Sequence, residues 1–283
     1  MAGYMKEGET QAQSMAAWTT WRTKWIDNCT VNKSVSSVPL AALVNEQQGK
    51  ILVHAAFGYS LAEHLNLLRQ HRHRFALTCC DKAFGFLVAN GIIPDYCIIA
   101  DASVSDEWID AQDTSRTTLV ANVAANPAWT TRWTGRVAFY VNWDNIGTAN
   151  VLARTAEKWE IIPASSNVSN AQVVFGAQVL NPSVHLLVGY DYSWEAGSWY
   201  YASKDSDKRY YMHHADVVSP YGTMCETSSN LLFSCNWLMQ YMMKFPQVSV
   251  WNCSGRGLLT HPPRRPLVSA LDAAERRWTH ARR

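Results

Sequence analysis

No apolar run in the 283-residue chain approaches the ~20 residues that a membrane-spanning helix needs, and the polar start Met1 to Ser14 lacks a signal peptide's apolar segment. No membrane span is expected, and a cytoplasmic location is. A dominant charge is missing too: 25 Lys+Arg against 23 Asp+Glu leave a net +2, so no general attraction to nucleic acid is built in. The 7 cysteines are odd in number and show no paired metal-ligand spacing, which argues for reduced thiols rather than a zinc module or a disulfide framework. Cys79-Cys80 reads as the two faces of one strand. Neither the P-loop pattern nor Gly-x-Gly-x-x-Gly occurs, so the two most specific phosphate-loop signatures are absent.

What is present is a chain with 48% hydrophobic residues, ample for one large core, arranged in short apolar runs that alternate with helical periodicity. Ile51–Ala56 is too short for a helix and ends in Phe57-Gly58-Tyr59-Ser60, after which Leu61, Leu65 and Leu68 recur at helical spacing. Phe75–Cys80 is a second strand, Ala83–Ala89 a second helix stopped by Asn90-Gly91, and Tyr96–Ala100 a third strand closed by Asp101. Such alternation implies an α/β fold with a mainly parallel sheet, whose strand C-terminal ends gather along one edge where ligands bind. That edge would carry Gly58 and Ser60, then Asp81, then Asp101 and Ser103. A helix start preceded by Gly and Ser suits phosphate, and it equally suits a plain turn and N-cap.

The flanks are simpler. Met15, Trp18, Trp21 and Trp25 mark an N-terminal amphipathic helix stopped at Asn28, buried against the domain or a second subunit, so a homo-oligomer is one expectation. Ser103–Asp113 is expected as a short helix, followed by strands at Thr117–Ala121, Arg136–Asn142 and Lys158–Ile162. A loop rich in small polar residues, with Asn167 and Asn170, leads into a helix and then the strand Val184–Gly189, which runs into Tyr190-Asp191-Tyr192. Glu195–Asp216 reads as a lid-like loop ending in a His-His-x-Asp cluster that includes His214. Beyond it come a short strand within Gly222–Thr227, a helix Asn230–Lys244, and Val248–Gly257 with Asn252, Ser254 and Gly255 at another strand end. The tail after His261-Pro-Pro is a basic helix with Leu267, Leu271 and Trp278 on one face.

Gly58-x-Ser-Leu-x-x-His-Leu65, Asp81, Asn90-Gly-Ile-Ile-Pro-Asp95, Ile98-Ile-Ala-Asp101, Val188-Gly-Tyr-Asp-Tyr192 and the 248–257 segment together resemble one family. It unites archaeal 6-hydroxymethylpterin diphosphokinases with bacterial motility-accessory (Maf) flagellin glycosyltransferases. Its first motif usually reads Gly-x-Gly-Pro-Ser-Leu, whereas this chain has Ala56-Phe-Gly-Tyr-Ser-Leu61, lacking the first Gly and the Pro. The resemblance implies a Rossmann-like transferase domain over residues 49–260, with accessory helices in 1–48 and 261–283. It also implies a nucleotide or nucleotide-sugar donor. The first expectation is glycosyl transfer from a CMP-sugar type of donor to a hydroxyl acceptor that is a glycan, protein, small molecule or nucleic acid. In that reading Asp101, Asp191 and His214 are catalytic, and Gly58, Ser60, Asp81, Ser103, Asn167, Asn170, Asn252 and Gly255 hold the donor. The alternative is diphosphate transfer from ATP to a hydroxymethyl group, with Mg2+ held by Asp101 and Asp191 beside Asp81. A third is a non-catalytic binding or assembly protein on the same fold.

Overall fold

The computed structural model describes residues 7–143, 160–163, 167–194 and 214–281; the side chains of 7–18, 20, 142–143, 160–163, 214 and 277–281 are outside that description. The alternation read from the sequence produces strands β1 (Ile51–Ala55), β2 (Ala76–Cys80), β3 (Tyr96–Ile99), β4 (Thr118–Asn122), β5 (Val137–Trp143), β6 (Glu160–Pro163), β7 (Val184–Val188) and β10 (Val250–Asn252). They form one eight-stranded sheet in the order β10-β7-β1-β2-β3-β4-β5-β6. Every adjacent pair in it is parallel. β1, β2, β3, β4 and β7 are buried at every position, because helices cover both faces. The fold is therefore α/β and Rossmann-like.

One face carries α2 (Leu61–Gln70), α3 (Asp81–Ala89) and α7 (Leu267–Ala281), whose Leu61, Leu68, Phe84, Leu87, Leu267 and Leu271 pack in one core with Val53, Leu77 and Leu186. The other face carries α5 (Val168–Phe175) and α6 (Ser229–Lys244), which place Val173, Val174, Phe175 and Leu238 against Leu52, Ile98 and Leu187. α5 continues as one π-helical turn, Gly176–Leu180, that ends at Asn181 in a left-handed conformation.

Polar side chains inside this core form a single chain of hydrogen bonds. Gln172 of α5 donates to the Ala55 carbonyl at 3.4 Å and accepts from the Thr78 hydroxyl at 2.9 Å. With that proton committed, Thr78 accepts from His54 Nδ1 at 2.7 Å, and His54 Nε2 accepts from His185 Nδ1 at 2.9 Å. The two imidazoles stack at 5.1 Å, and the chain ties β7, β1 and β2 to the helix above them. All four side chains are buried, so each is satisfied by a neighbour rather than by water.

Several local expectations are corrected. The N-terminal helix α1 (Glu7–Asn32) does not stop at Asn28; that side chain faces inward and donates to the Ala102 and Ala124 carbonyls, while Asn32 caps the Val123 and Ala125 carbonyls. Trp25 packs beside Cys29, Val123 and Val141 and Trp21 is exposed, while the side chains of Met15 and Trp18 lie outside the described residues. Ser103–Asp113 forms a single 3-10 turn, Asp106–Trp108, because Asp101 and Ser105 accept from Ser103 and Glu107 N–H and Ala111 takes a positive φ. The segment 195–213, expected as a lid, lies outside the described residues, as do His213 and the side chain of His214. His214 opens β8 (His214–Val218), which pairs antiparallel with β9 (Met224–Ser228) in a separate two-stranded sheet. α4 (Pro127–Arg132) completes the described helices and packs against α1. No described helix is long and apolar enough to cross a membrane.

Candidate functional site

From β1 the chain steps outward through β2 to β6, then returns to place β7 on the other side of β1. The connections after β1 and before β7 lie on opposite faces, α2 on one and α5 on the other, so a crevice opens at the carboxyl edge between these strands. A cavity of about 220 Å³ occupies it, walled by Ala56–Tyr59, Cys80–Lys82, Asp101, Asn167–Ser169, Gly189–Trp194 and Leu231. Four strand ends, the start of α5 and the start of α6 thus converge on one space.

The floor is closed by two glycines. A Cβ on Gly58 would strike the Gly189 carbonyl and the Asp191 carboxylate, and Gly189 has φ +72°, which side chains rarely adopt. The Gly58 N–H donates to the Gly189 carbonyl at 3.0 Å. Next to it, the Ser60 N–H donates to Asp191 Oδ2 at 2.7 Å and the Ser60 hydroxyl to Oδ1 at 2.5 Å. The anion-favouring start of α2 is therefore filled by the protein's own carboxylate. Ser60 serves Asp191 instead of a phosphate, and it makes no side-chain cap either. Burial pushes the Asp191 carboxyl up from its ordinary range, against the lowering effect of the Ser60 hydrogen bonds.

Asp81 is placed differently. It is 7% exposed, lines the cavity, and takes one hydrogen bond, from Lys82 N–H to Oδ1 at 2.7 Å; among the described residues nothing donates to its second oxygen. Burial, and to a smaller extent the nearby Asp101 charge, push its carboxyl up to about 6, while Lys82 pulls the other way. Asp101 reaches the same cavity from the next strand, exposed, with Oδ1 accepting from Ser103 N–H at 2.7 Å. Asp101 and Asp191 do share one cavity, but Asp191 is committed to Ser60.

The remaining sequence candidates divide. Asn167 lines the cavity and caps α5 by accepting from Asn170 N–H at 2.8 Å. Asn170 is fully buried, accepts from the Tyr192 hydroxyl at 2.6 Å and donates to the Ser234 carbonyl at 2.9 Å, so it joins α5, α6 and the β7 loop and does not face the cavity. Asn252 is buried behind the site, donating to the Leu259 carbonyl and accepting from Ser254 N–H; Ser254 in turn accepts from Tyr190 N–H at 2.8 Å. Gly255 lies against Glu63 and Ser60 at the start of α2. Ser103 is turned to α1, where its hydroxyl accepts from Lys24 at 2.8 Å. None of these four lines the cavity. Tyr59, Lys82 and Ser169 line the cavity from the 58–60, 80–82 and 167–170 segments expected at this edge, whereas Ser193, Trp194 and Leu231 line it without a sequence expectation. Ser193 and Trp194 follow the Tyr190-Asp191-Tyr192 strand end; Leu231 arrives from α6, with no local signal.

Carboxylates from neighbouring loops suit a hard cation, and Mg2+ commonly takes only one or two carboxylates together with substrate phosphates. Asp81 and Asp101 fit that description. With Asp191 tied to Ser60, no group of three or more His, Cys, Asp or Glu side chains that could hold a metal is found among the described residues.

The sheet, the crevice and its lining define a Rossmann-like α/β protein with a cavity at its topological switch point. The chain belongs to the 6-hydroxymethylpterin diphosphokinase MptE-like family, whose model matches residues 24–197. None of the curated proteins matches the sequence. Among solved structures, the fold is similar to the MAf glycosyltransferase from Magnetospirillum magneticum AMB-1, with a TM-score of 0.65 at 14% identity. The similarity covers 91% of this chain but 41% of that one, so this chain spans less than half of that enzyme's length. That likeness is one of fold.

Proposed function

We propose that the protein is a nucleotide-dependent transferase that moves a sugar from a nucleotide-sugar donor, of the cytidine-monophosphate type, to an acceptor hydroxyl. The observation that carries this reading is Asp81: a nine-tenths-buried carboxylate, with one oxygen lacking a donor among the described residues, in a partly aromatic cavity at the sheet's switch point. A carboxyl near 6 is mostly ionised at pH 7 yet basic enough to take a proton. In the transfer, the acceptor hydroxyl proton passes to Asp81 as its oxygen bonds the sugar's anomeric carbon; the bond from that carbon to phosphate breaks, and the nucleotide leaves. Phe57, Tyr59, Tyr190 and Trp194 give the lining an aromatic character that suits a base or sugar. The likeness to the MAf glycosyltransferase over 91% of the chain, beyond the end of the family match at residue 197, supports glycosyl transfer first.

A second reading is diphosphate transfer from ATP to a hydroxymethyl group, as the family's description suggests. It is favoured by Asp81 and Asp101 opening into one cavity, where they would hold Mg2+ against the donor's phosphates. Thermal stabilisation separates the two. A nucleotide at a hundred times its dissociation constant adds ~2.7 kcal/mol. Stabilisation by cytidine monophosphate without Mg2+, retained in Asp81→Asn while sugar transfer is lost, supports glycosyl transfer. Stabilisation by ATP only with Mg2+ supports the second reading, and no response to either nucleotide rejects both in favour of a non-catalytic role.

A further inference from the structure

A second cavity, of about 230 Å³, lies at the opposite edge of the sheet, where β3, β4 and β5 begin. It matches the first in size but not in character, because every residue that lines it carries a polar side chain. Glu46 and Gln47 reach it from the turns before β1, and a network of hydrogen bonds fixes them there. The hydroxyl of Tyr96, a residue 2% exposed, donates to Glu46 Oε2 at 2.6 Å and accepts from Gln47 Nε2 at 2.8 Å. Arg136 donates to both Glu46 oxygens, at 2.8 and 3.2 Å, and through Nε to Thr118 Oγ1 at 3.1 Å. Asp95 Oδ2 accepts from Arg72 and from Leu77 N–H, each at 2.7 Å, so both lining carboxylates already have an arginine partner.

Two donors in the lining are not used by this network. Thr118 is 4% exposed, and no described residue accepts its hydroxyl proton. Arg116 makes no hydrogen bond or ion pair with any described residue. The acid closest to it in sequence, Asp113, is taken up by the N–H and hydroxyl of Ser115, at 2.9 and 2.6 Å, and interacts with Arg116 through charge alone. A guanidinium presents a fork of N–H groups that matches carboxylate or phosphate, and a buried hydroxyl proton calls for an acceptor. With no aliphatic residue in the lining, an acyl chain would bury little apolar surface here.

We propose that this cavity is a second ligand site, which takes the carboxylate or phosphate of a small hydrophilic molecule on Arg116 and the Thr118 hydroxyl. The Tyr96, Glu46 and Arg136 network holds the Thr118 side in place before the ligand arrives. The site does not rest on the transferase reading, since it lies at the amino ends of the strands and the candidate transferase site lies at their carboxyl ends.

The test titrates orthophosphate and acetate separately into the full chain at constant ionic strength. It follows the backbone amide signals of Arg116 and Thr118 at this cavity and of Gly58 and Gly189 at the other. Saturable shifts at Arg116 and Thr118 are expected, and the anion that binds more tightly tells phosphate from carboxylate. Arg116→Gln, a change at an exposed position, should weaken binding about tenfold, and Thr118→Val several-fold. Thr118→Ser keeps the hydroxyl and should bind as the parent does. No saturable shift with either anion, shifts only at Gly58 and Gly189, or parent-like binding in Arg116→Gln overturns the site. Equal losses in Thr118→Ser and Thr118→Val would overturn the role of the hydroxyl.

Discussion

The Ser60 hydroxyl and the Asp191 carboxylate meet at 2.5 Å across 131 residues of sequence, and with the Ser60 N–H at 2.7 Å they join the loop after β1 to the loop after β7. Both carboxylate oxygens accept, which is the ionised form, and the start of α2 stabilises it. Ser60→Ala removes one donor to a buried charge, so roughly 2–3 kcal/mol of stability is expected to go. Urea unfolding at pH 7 measures it; a loss under half a kcal/mol would show that the pair does not hold the crevice.

Asp81 should make the protein less stable as pH rises. Its folded-state carboxyl titrates near 6 against 3.8 for the ordinary group, so the folded chain binds its proton more tightly. That contribution is fully present below pH 3.8 and is lost as pH climbs through 6, a cost on the order of 3 kcal/mol above that window. Asp81→Asn should match the parent near pH 3.5 and be more stable by up to that amount at pH 7.5. Equal stability of the two at both pH values would mean the carboxylate is already compensated.

The His54–His185 pair acts in the opposite direction. Burial, helped by the mutual repulsion of the rings, drives His54 well below 6.5, and burial takes His185 down to about 3. Both stay neutral in the folded chain while their unfolded counterparts protonate below 6.5, so stability is complete above 6.5 and is lost as pH falls toward the folded values. In the Asp81→Asn background the slope should approach roughly 1.4 kcal/mol per pH unit for each imidazole. Flat imidazole carbon-proton shifts from pH 8 to 4.5 are the direct check, and a titration with midpoint near 6.5 would contradict the hydrogen-bond chain.

The C-terminal helix is part of the core. Leu271 is 0% exposed and packs with Val53 and Leu186, while Arg74 pairs with Asp272 at 2.6 Å and Glu275 at 2.7 Å. Truncation after Pro266 should leave no cooperatively folded protein, and Leu271→Ala should cost about 2–5 kcal/mol in chemical denaturation. A folded truncated chain would show that α7 is an appendage.

Asp101→Asn isolates charge from turn geometry, since the amide oxygen can still accept from Ser103 N–H. Turnover should fall with the melting temperature unchanged. Full turnover would leave Asp101 as a turn residue only.

The sequence by itself settled which short runs become strands. Ile51–Ala55, Ala76–Cys80 and Val184–Val188 are short runs, each apolar but for one residue (His54, Thr78, His185), and they are buried on both faces as covered parallel strands are. It also placed Gly58, Asp81, Asp101 and Asp191 at strand ends, because a loop starts where the apolar run stops. What it left undecided was partnership. Nothing near residue 60 says that its hydroxyl will meet residue 191, or that Asn28 and Asn170 will be spent on carbonyls in other elements. Periodicity records local burial, whereas a hydrogen-bond partner is chosen by strand order, and the return of β7 to the flank of β1 is a long-range event. That return decides which carboxylate is consumed by the fold and which, Asp81, is left facing the cavity.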